Sequence, residues 1–354
     1  MCNIKILIVT HKPFKRIKGN YFVPIHAGRE IATKMSKDGC ISDKDYEWLL
    51  VNTIGDDTGD NISKKNRFYS ECSALYWAWK NYDKLDNPDY IGLMHYRRHF
   101  VFNENYFSSK NKTKWENALG FIEENFIDEN YLSNIGMRDD CIRSVCKKYD
   151  IVVSKDSQLN ILGGRNIRED YEKTIPGVKV EDFDLMVDII HEKYPKYTGV
   201  LEKNISGYKK SMYQMFIMKR DLFFEYCEFL FGVLNEIENT VDFSEYSTNG
   251  KRSLGYLAEI LLSIYVWKKE EDGVNIQKLG VTKVLYPYEE ACLKEMAERK
   301  VPAFFDYLLL KIKSIFAKGK RKESFVKEAK NTRLLRKYLK NLKALYKLRG
   351  LEDG

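Results

Sequence analysis

Four consecutive residues, His95-Tyr96-Arg97-Arg98, close the stretch DYIGLMHYRR, where a short apolar run gives way at once to a histidine, a tyrosine and two arginines. Two adjacent guanidiniums can grip an anion such as a diphosphate through forked, charge-assisted hydrogen bonds. The plain alternative is a pair of surface arginines neutralised by neighbouring carboxylates. A second polar cluster, IGDDTGDNISKKN (residues 54–66), gathers Asp56, Asp57, Asp60, Asn61, Ser63 and Asn66 around Gly55 and Gly59. It lacks the glycine and closing glutamate that a calcium loop needs. Two readings stand: a turn whose Asp and Asn side chains bond their own backbone, or a loop of fixed shape that holds the ribose or base of a nucleotide. His26, in YFVPIHAG, is a lone loop histidine open to a structural role or to a phosphate or base contact.

Position gives these residues their meaning. Ile91, Leu93 and Met94 follow the Asn87-Pro88 breaker in a run too short for a helix, which predicts a buried strand ending at His95. The arginines then lie at the carboxyl edge of a sheet, where ligands of open α/β folds bind. Further strands are predicted at 4–10, 48–51, 150–154, 215–218 and 280–285. Helices are predicted at 70–85, with Leu75, Trp79 and Tyr82 on one face, at 180–194, from Asp221 as N-cap, and at 253–267. Residues 103–138 read as a helical insertion outside the core, and Gly163-Gly164 as a turn. Strands alternating with helices predict an α/β fold, a mostly parallel sheet flanked by helices.

The chain of 354 residues is rich in rings, with 24 Tyr, 19 Phe and 5 Trp, which speaks for a folded core and against disorder. Its seven cysteines are scattered without zinc-ligand spacing and read as reduced packing residues. The amino-terminal apolar run is too short for a signal-peptide core, and nothing reaches the roughly 18 apolar residues of a membrane span. Charge is uneven: residues 311–349 hold fifteen Lys or Arg against two Glu, so the formal +8 of the chain belongs to its tail. Residues 1–300 are expected to form the α/β domain, with a nucleotide-binding half of about 1–155 and an acceptor half of about 156–300. Residues 301–354 are expected to form a basic, amphipathic helical tail. Its residues 303–349 suit an anionic membrane surface. A helical hairpin packed on the core is the plain alternative, and the aromatic, acidic remainder argues against nucleic acid.

The motifs IVTHKP (residues 8–13), VPIHAG, GDDTGDNISKKN, LYWAWKN, IGLMHYRRHF, YQMFIMKRDLFFEYC and RSLGYLAEILL, spread over roughly residues 4–290, resemble the bacterial domain of unknown function 4422. That family occurs in capsule, exopolysaccharide and O-antigen gene clusters and is regarded as glycosyltransferase-like. The resemblance implies a GT-A-like, Rossmann-like fold. It implies a UDP-sugar donor, with galactose or galactofuranose favoured, and a polyprenyl-diphosphate-linked glycan acceptor. The protein would be cytoplasmic and peripheral at the inner face of the cell membrane. Donor contacts would fall on His11, His26, Asp57, Asp60, Asn61, Ser63, Asn66, His95, Tyr96, Arg97, Arg98 and Gln214. GT-A enzymes carry an Asp-x-Asp metal site where this chain has His95-Tyr96-Arg97-Arg98. Arg97 and Arg98 are therefore expected to replace the divalent cation beside the leaving diphosphate. Mn²⁺ or Mg²⁺ held by His95, or by Asp57 and Asp60, is the alternative. Transfer with inversion needs a base, for which Glu259 is the first candidate and Asp242 the second. The plain reading of Glu259 is a buried glutamate paired with Arg252 or another neighbour. A non-catalytic nucleotide- or glycan-binding subunit of an assembly complex is the rival function.

Overall fold

The computed structural model describes residues 2–34 and 40–286. Its strands are β1 (Ile4–Thr10), β2 (Phe22–His26), β3 (Ile54–Gly55), β4 (Tyr90–His95), β5 (Arg98–Phe100), β6 (Phe121–Glu124), β7 (Ile151–Ser154), β8 (Ser157–Gln158), β9 (Lys209–Lys210), β10 (Phe216–Lys219), β11 (Ile276–Leu279) and β12 (Val281–Val284). The main sheet runs β11-β7-β10-β4-β1-β2-β3, and β5, β12 and β6 extend it from the end of β4; β8 and β9 pair separately. Neighbours are parallel from β4 through β3, and β7 is parallel to β11. Only β10 runs against its neighbours on that path, wedged antiparallel between β4 and β7.

The sequence explains the sheet's double coverage. Leu7 and Val9 of β1 face one apolar cluster while Ile4, Ile6 and Ile8 face the other, so both sides of the strand are buried. The helices Cys72–Lys80, Val180–Lys193, Arg220–Thr240 and Ser253–Glu271 cover the first face. Phe107, Phe121, Ile122, Tyr131, Leu132 and Ile142 build the second. Residues 103–138 are thus core rather than an added insertion. Their short helices and high charge hide the few apolar side chains, Phe107, Tyr131 and Leu132 among them, that point inward. No helix among the described residues is long and apolar enough to cross a membrane. The basic tail expected at 301–354 lies outside the described residues.

Two local expectations are corrected. Residues 48–51 end a helix, Asp43–Asn52, whose first turn is capped by Ser42 accepting from the Asp45 N–H. Of its residues only Leu49 is buried, and Val51 is 84% exposed, so the short apolar run has no second face to hide in a sheet. The neighbour of β1 is instead β2, which contains Pro24 and which the sequence reads as the loop around His26. That proline is tolerated because β3 pairs β2 only at Ile25 and His26, beyond it.

β4 and β5 join through the two-residue turn Tyr96-Arg97, with His95 paired to Arg98. Arg98 and His99 therefore leave the strand on opposite faces. His99 is fully buried, its Nδ1 2.7 Å from the Tyr131 hydroxyl, and that hydroxyl meets the Thr282 Oγ1. Burial, reinforced by His95, pushes the imidazole pKa down to about 3. The unfolded chain, titrating near 6.5, takes up the proton first. Between pH 6.5 and 3 this residue makes stability fall as pH falls, by up to about 1.4 kcal/mol per unit. Urea midpoints measured from pH 7.5 to 5 should fall less steeply for His99→Asn than for the parent chain, and equal slopes would refute the buried neutral histidine.

Candidate active site

At the carboxyl end of β4, two loops and two helix starts bring seven partly exposed side chains together: Glu71, His95, Arg98, Tyr213, Arg252, Tyr256 and Glu259. β10 runs toward β4 from the opposite direction, so the residues just before it, Tyr213 and Gln214, arrive beside His95. The His95 Nε2 lies 2.6 Å from the Tyr213 carbonyl, which identifies that nitrogen as the donor. Arg98 lays its guanidinium 4.9 Å from the centre of the Tyr213 ring, and its Nε is buried without a hydrogen-bond partner. From the far side Arg252 donates to the Ser70 Oγ at 3.1 Å and to the Tyr256 hydroxyl at 3.3 Å. Neither Arg98 nor Arg252 has a carboxylate within ion-pair distance among the described residues.

The anionic partners sit deeper. Glu259 faces the backbone N–H of Tyr213 and lies 3.9 Å from the Lys210 ammonium, which is 3% exposed and also 3.8 Å from Asp170. Burial raises the pKa of Glu259, Lys210 opposes the rise, and Glu71 adds to it. Burial raises Glu71 too, against the pull of Arg252 and Arg98. His95 is driven down to about 3 by burial, then by the charge of Arg98. The backbone is strained at the same place. Ser70 (φ 51°), Tyr213 (φ 76°) and Gln214 (φ 50°) are three of the five described non-glycine residues with positive φ. Each costs about 1–3 kcal/mol, and such residues gather where structure serves function.

The sequence-predicted residues divide between this cluster and its surroundings. His95, Arg98 and Glu259 are in it. Arg97 is not: it sits exposed on the turn, over the Tyr96 ring and toward the Leu285 carbonyl. Gln214 lies behind Tyr213, fully buried, donating to the Tyr226 hydroxyl. His11 and Tyr96 make an edge contact at 5.5 Å where β1 ends. His26 ends β2, buried against Tyr46, with its pKa lowered to about 3 by burial and by Arg29. β1 lies between β2 and β4, so His26 and His95 stand two strand spacings apart, about 10 Å. Asp242 is exposed and held by the Ser244 N–H and hydroxyl in a surface groove beside Lys179 and Tyr246, away from Glu259.

The 54–66 loop follows the turn reading in most of its side chains. Its hub is Asp56, fully buried, which accepts from the N–H groups of Gly28 and Arg29 and from the hydroxyls of Ser63 and Ser73. Asn61 bonds the Gly59 carbonyl and the Ser63 N–H, and Asp60 accepts from the Tyr76 hydroxyl at 3.3 Å. Asn66 reaches the Ser70 carbonyl and the Ser73 hydroxyl, tying the loop to the strained residue beside Glu71. Asp57 and Asn61 also face outward, into a shallow surface recess with Lys64 and Lys65. No group of three or more metal-ligating side chains occurs among the described residues.

Sequence reasoning missed Glu71, Lys210 and Tyr213, and named Arg252 only as a partner for Glu259. A signal for Glu71 existed, an acidic residue opening the otherwise aromatic helix of SECSALYWAWK. For Tyr213 there was none, because nothing in its type announces a left-handed backbone. Asp56→Ala would strand four donors in the interior and should destabilise the fold by about 3 kcal/mol or more in urea unfolding, whereas a loss below about 1 kcal/mol would show that Asp56 is no hub.

The chain is 31% identical to the solved apo structure of WbbM, a bifunctional glycosyltransferase, with a TM-score of 0.68 over 80% of this chain and 46% of that one. It therefore spans about half the length of that protein. The mixed, mostly parallel sheet flanked by helices is shared with the matched part, as the GT-A-like expectation required. No curated protein matches the chain. The family model described as Domain of unknown function (DUF4422) matches residues 5–270, and the chain belongs to that family.

Proposed function

We propose that the chain is a glycosyltransferase that moves a hexose, galactose or galactofuranose, from a UDP-sugar to a lipid-linked glycan of a bacterial surface polysaccharide. The observation that carries the reading is the pair Arg98 and Arg252: two guanidiniums without carboxylate partners among the described residues, beside two carboxylates at the sheet's carboxyl edge. Breaking a sugar-diphosphate bond loads negative charge onto the leaving phosphate. Fixed cations that meet this charge lower the barrier without having to reorganise. A neighbouring carboxylate then has a task too, since the acceptor hydroxyl must give up its proton. The shared fold of WbbM, a bifunctional glycosyltransferase, supports the same reading.

In this arrangement Arg98 replaces the Arg97-Arg98 pair as the inner half of the clamp. Arg252 supplies the other half and Arg97 stays at the rim. The basic residues 303–349, outside the described residues, would hold the enzyme at an anionic inner membrane surface and so raise the effective concentration of a lipid-linked acceptor.

Isothermal titration with UDP-galactose and UDP-galactofuranose, each with Mn²⁺ and with excess EDTA, tests the donor site directly. Binding should persist in EDTA. Arg98→Ala should weaken it by about 100-fold or more, and Arg97→Ala by less than about tenfold. Metal-dependent binding, or the opposite order of the two variants, would overturn the clamp as assigned.

A further inference from the structure

The cluster holds two carboxylates, and their surroundings are not alike. Glu259 is committed to its neighbours. It pairs with Lys210 at 3.9 Å and faces the Tyr213 N–H, while His95 holds the carbonyl of the same Tyr213 residue. Tyr213 and Gln214 keep their left-handed conformation between His95, which holds the Tyr213 carbonyl, and Glu259, which faces its N–H. Removing one holder lets the pair relax, so the position of the ring under Arg98 depends on Glu259.

Glu71 has no such duty. Among the described residues its carboxylate makes no ion pair and no hydrogen bond to another side chain, and its own backbone N–H is the one polar backbone group set against it. It is aimed rather than tethered. Ser70, at φ 51° and ψ −130°, bends the chain sharply into the helix Cys72–Lys80. Three contacts keep Ser70 bent: Arg252 donates to its Oγ, Asn66 to its carbonyl, and Gly255 packs so close that a Cβ there would lie 2.9 Å from the Oγ. Glu71 thereby points into the field of Arg98 and Arg252, with Glu259 as the nearby like charge and Cys72 beside it on its own helix.

Resting on the glycosyl-transfer reading above, we propose that Glu71 is the catalytic base and that Glu259 is a positioning residue acting through Tyr213. In a single displacement with inversion, the acceptor oxygen bonds to the anomeric carbon as its proton moves to the Glu71 carboxylate. The bond from that carbon to the diphosphate oxygen breaks, and its electron pair leaves with UDP, met by Arg98 and Arg252. After UDP departs, Glu71 returns the proton to water. The same two arginines couple the steps. In an empty site they oppose the rise that burial gives Glu71. A bound diphosphate occupies their charge and makes Glu71 more basic when a donor is present. The base is then switched on by the donor, which limits proton abstraction in its absence.

The test uses the full chain, with UDP-galactose and UDP-galactofuranose as donors, octyl galactoside as acceptor and UDP release as the readout. Glu71→Gln should bind donor within about threefold of the parent while kcat falls by about 100-fold or more. Sodium formate should restore at least about tenfold of the rate to Glu71→Ala and nothing to Glu259→Ala, an arm that holds even if the Gln variant folds poorly. Glu259→Gln should instead weaken donor binding and lower Tm, through the loosened Tyr213. The assignment falls if Glu71→Gln keeps kcat within about threefold, or if formate rescues Glu259→Ala. A parent chain that binds either donor and transfers neither sugar removes the glycosyl-transfer reading and this assignment with it.

Discussion

A single buried carboxylate sets the geometry on which the cluster relies. Asp56 draws two backbone N–H groups and two hydroxyls onto itself, from the turn after β2, the loop after β3 and the first turn of the helix Cys72–Lys80. A charge removed from water survives only when its lone pairs are filled, and here four donors fill them. Ser73, one of the four, also meets Asn66, and Asn66 holds the Ser70 carbonyl. The strain at Ser70 is thus sustained by a chain of bonds that begins at Asp56, two elements away. A loop that looks like a ligand site by composition is, for most of its side chains, a brace for the candidate site beside it.

The same economy appears around Tyr213. Its carbonyl is taken by a side chain of β4 and its N–H faces a carboxylate of the helix Ser253–Glu271, rather than the sheet. That frees the residue from strand geometry and turns its ring under Arg98. Arg98 and Arg252 stand without an ion pair among the described residues, since Glu259 pairs with Lys210 and Glu71 faces the two guanidiniums from beyond ion-pair distance. The local charge is close to balanced in sum and unbalanced in place, which suits a site that must attract an anion without collapsing onto its own acids.

The sequence showed most of the architecture and part of the site. β1 and β4 were legible because their apolar runs are short, bounded by breakers and buried on both faces. β2 was not, since Pro24 argues against a strand unless one knows that its neighbour pairs only beyond it. His95, Arg98 and Glu259 stood out through residue type at a strand end or on an apolar helix. Arg97 and Arg98 look equivalent in sequence, and only the two-residue turn separates them, one outward and one inward. Glu71 and Tyr213 owe their place to backbone angles and distant contacts, which residue type does not carry. Asp242, the second candidate after Glu259, lies in an exposed turn.

The reversed strand β10 has a consequence for how the molecule is made. It enters the sheet between β4 and β7 although it follows them by more than sixty residues, and β4 pairs with β1 from more than eighty residues away. Such distant pairings raise the contact order and slow folding. A chain emerging from the ribosome cannot place Tyr213 against His95 until residue 219 and beyond are free, and cannot fix either without the helix Ser253–Glu271. Until then the edges of β4 and β7 stay open to other strands. The acids and arginines of the cluster therefore meet only when nearly all of the described chain is present, so an amino-terminal fragment carries the residues of a half-site and none of its geometry.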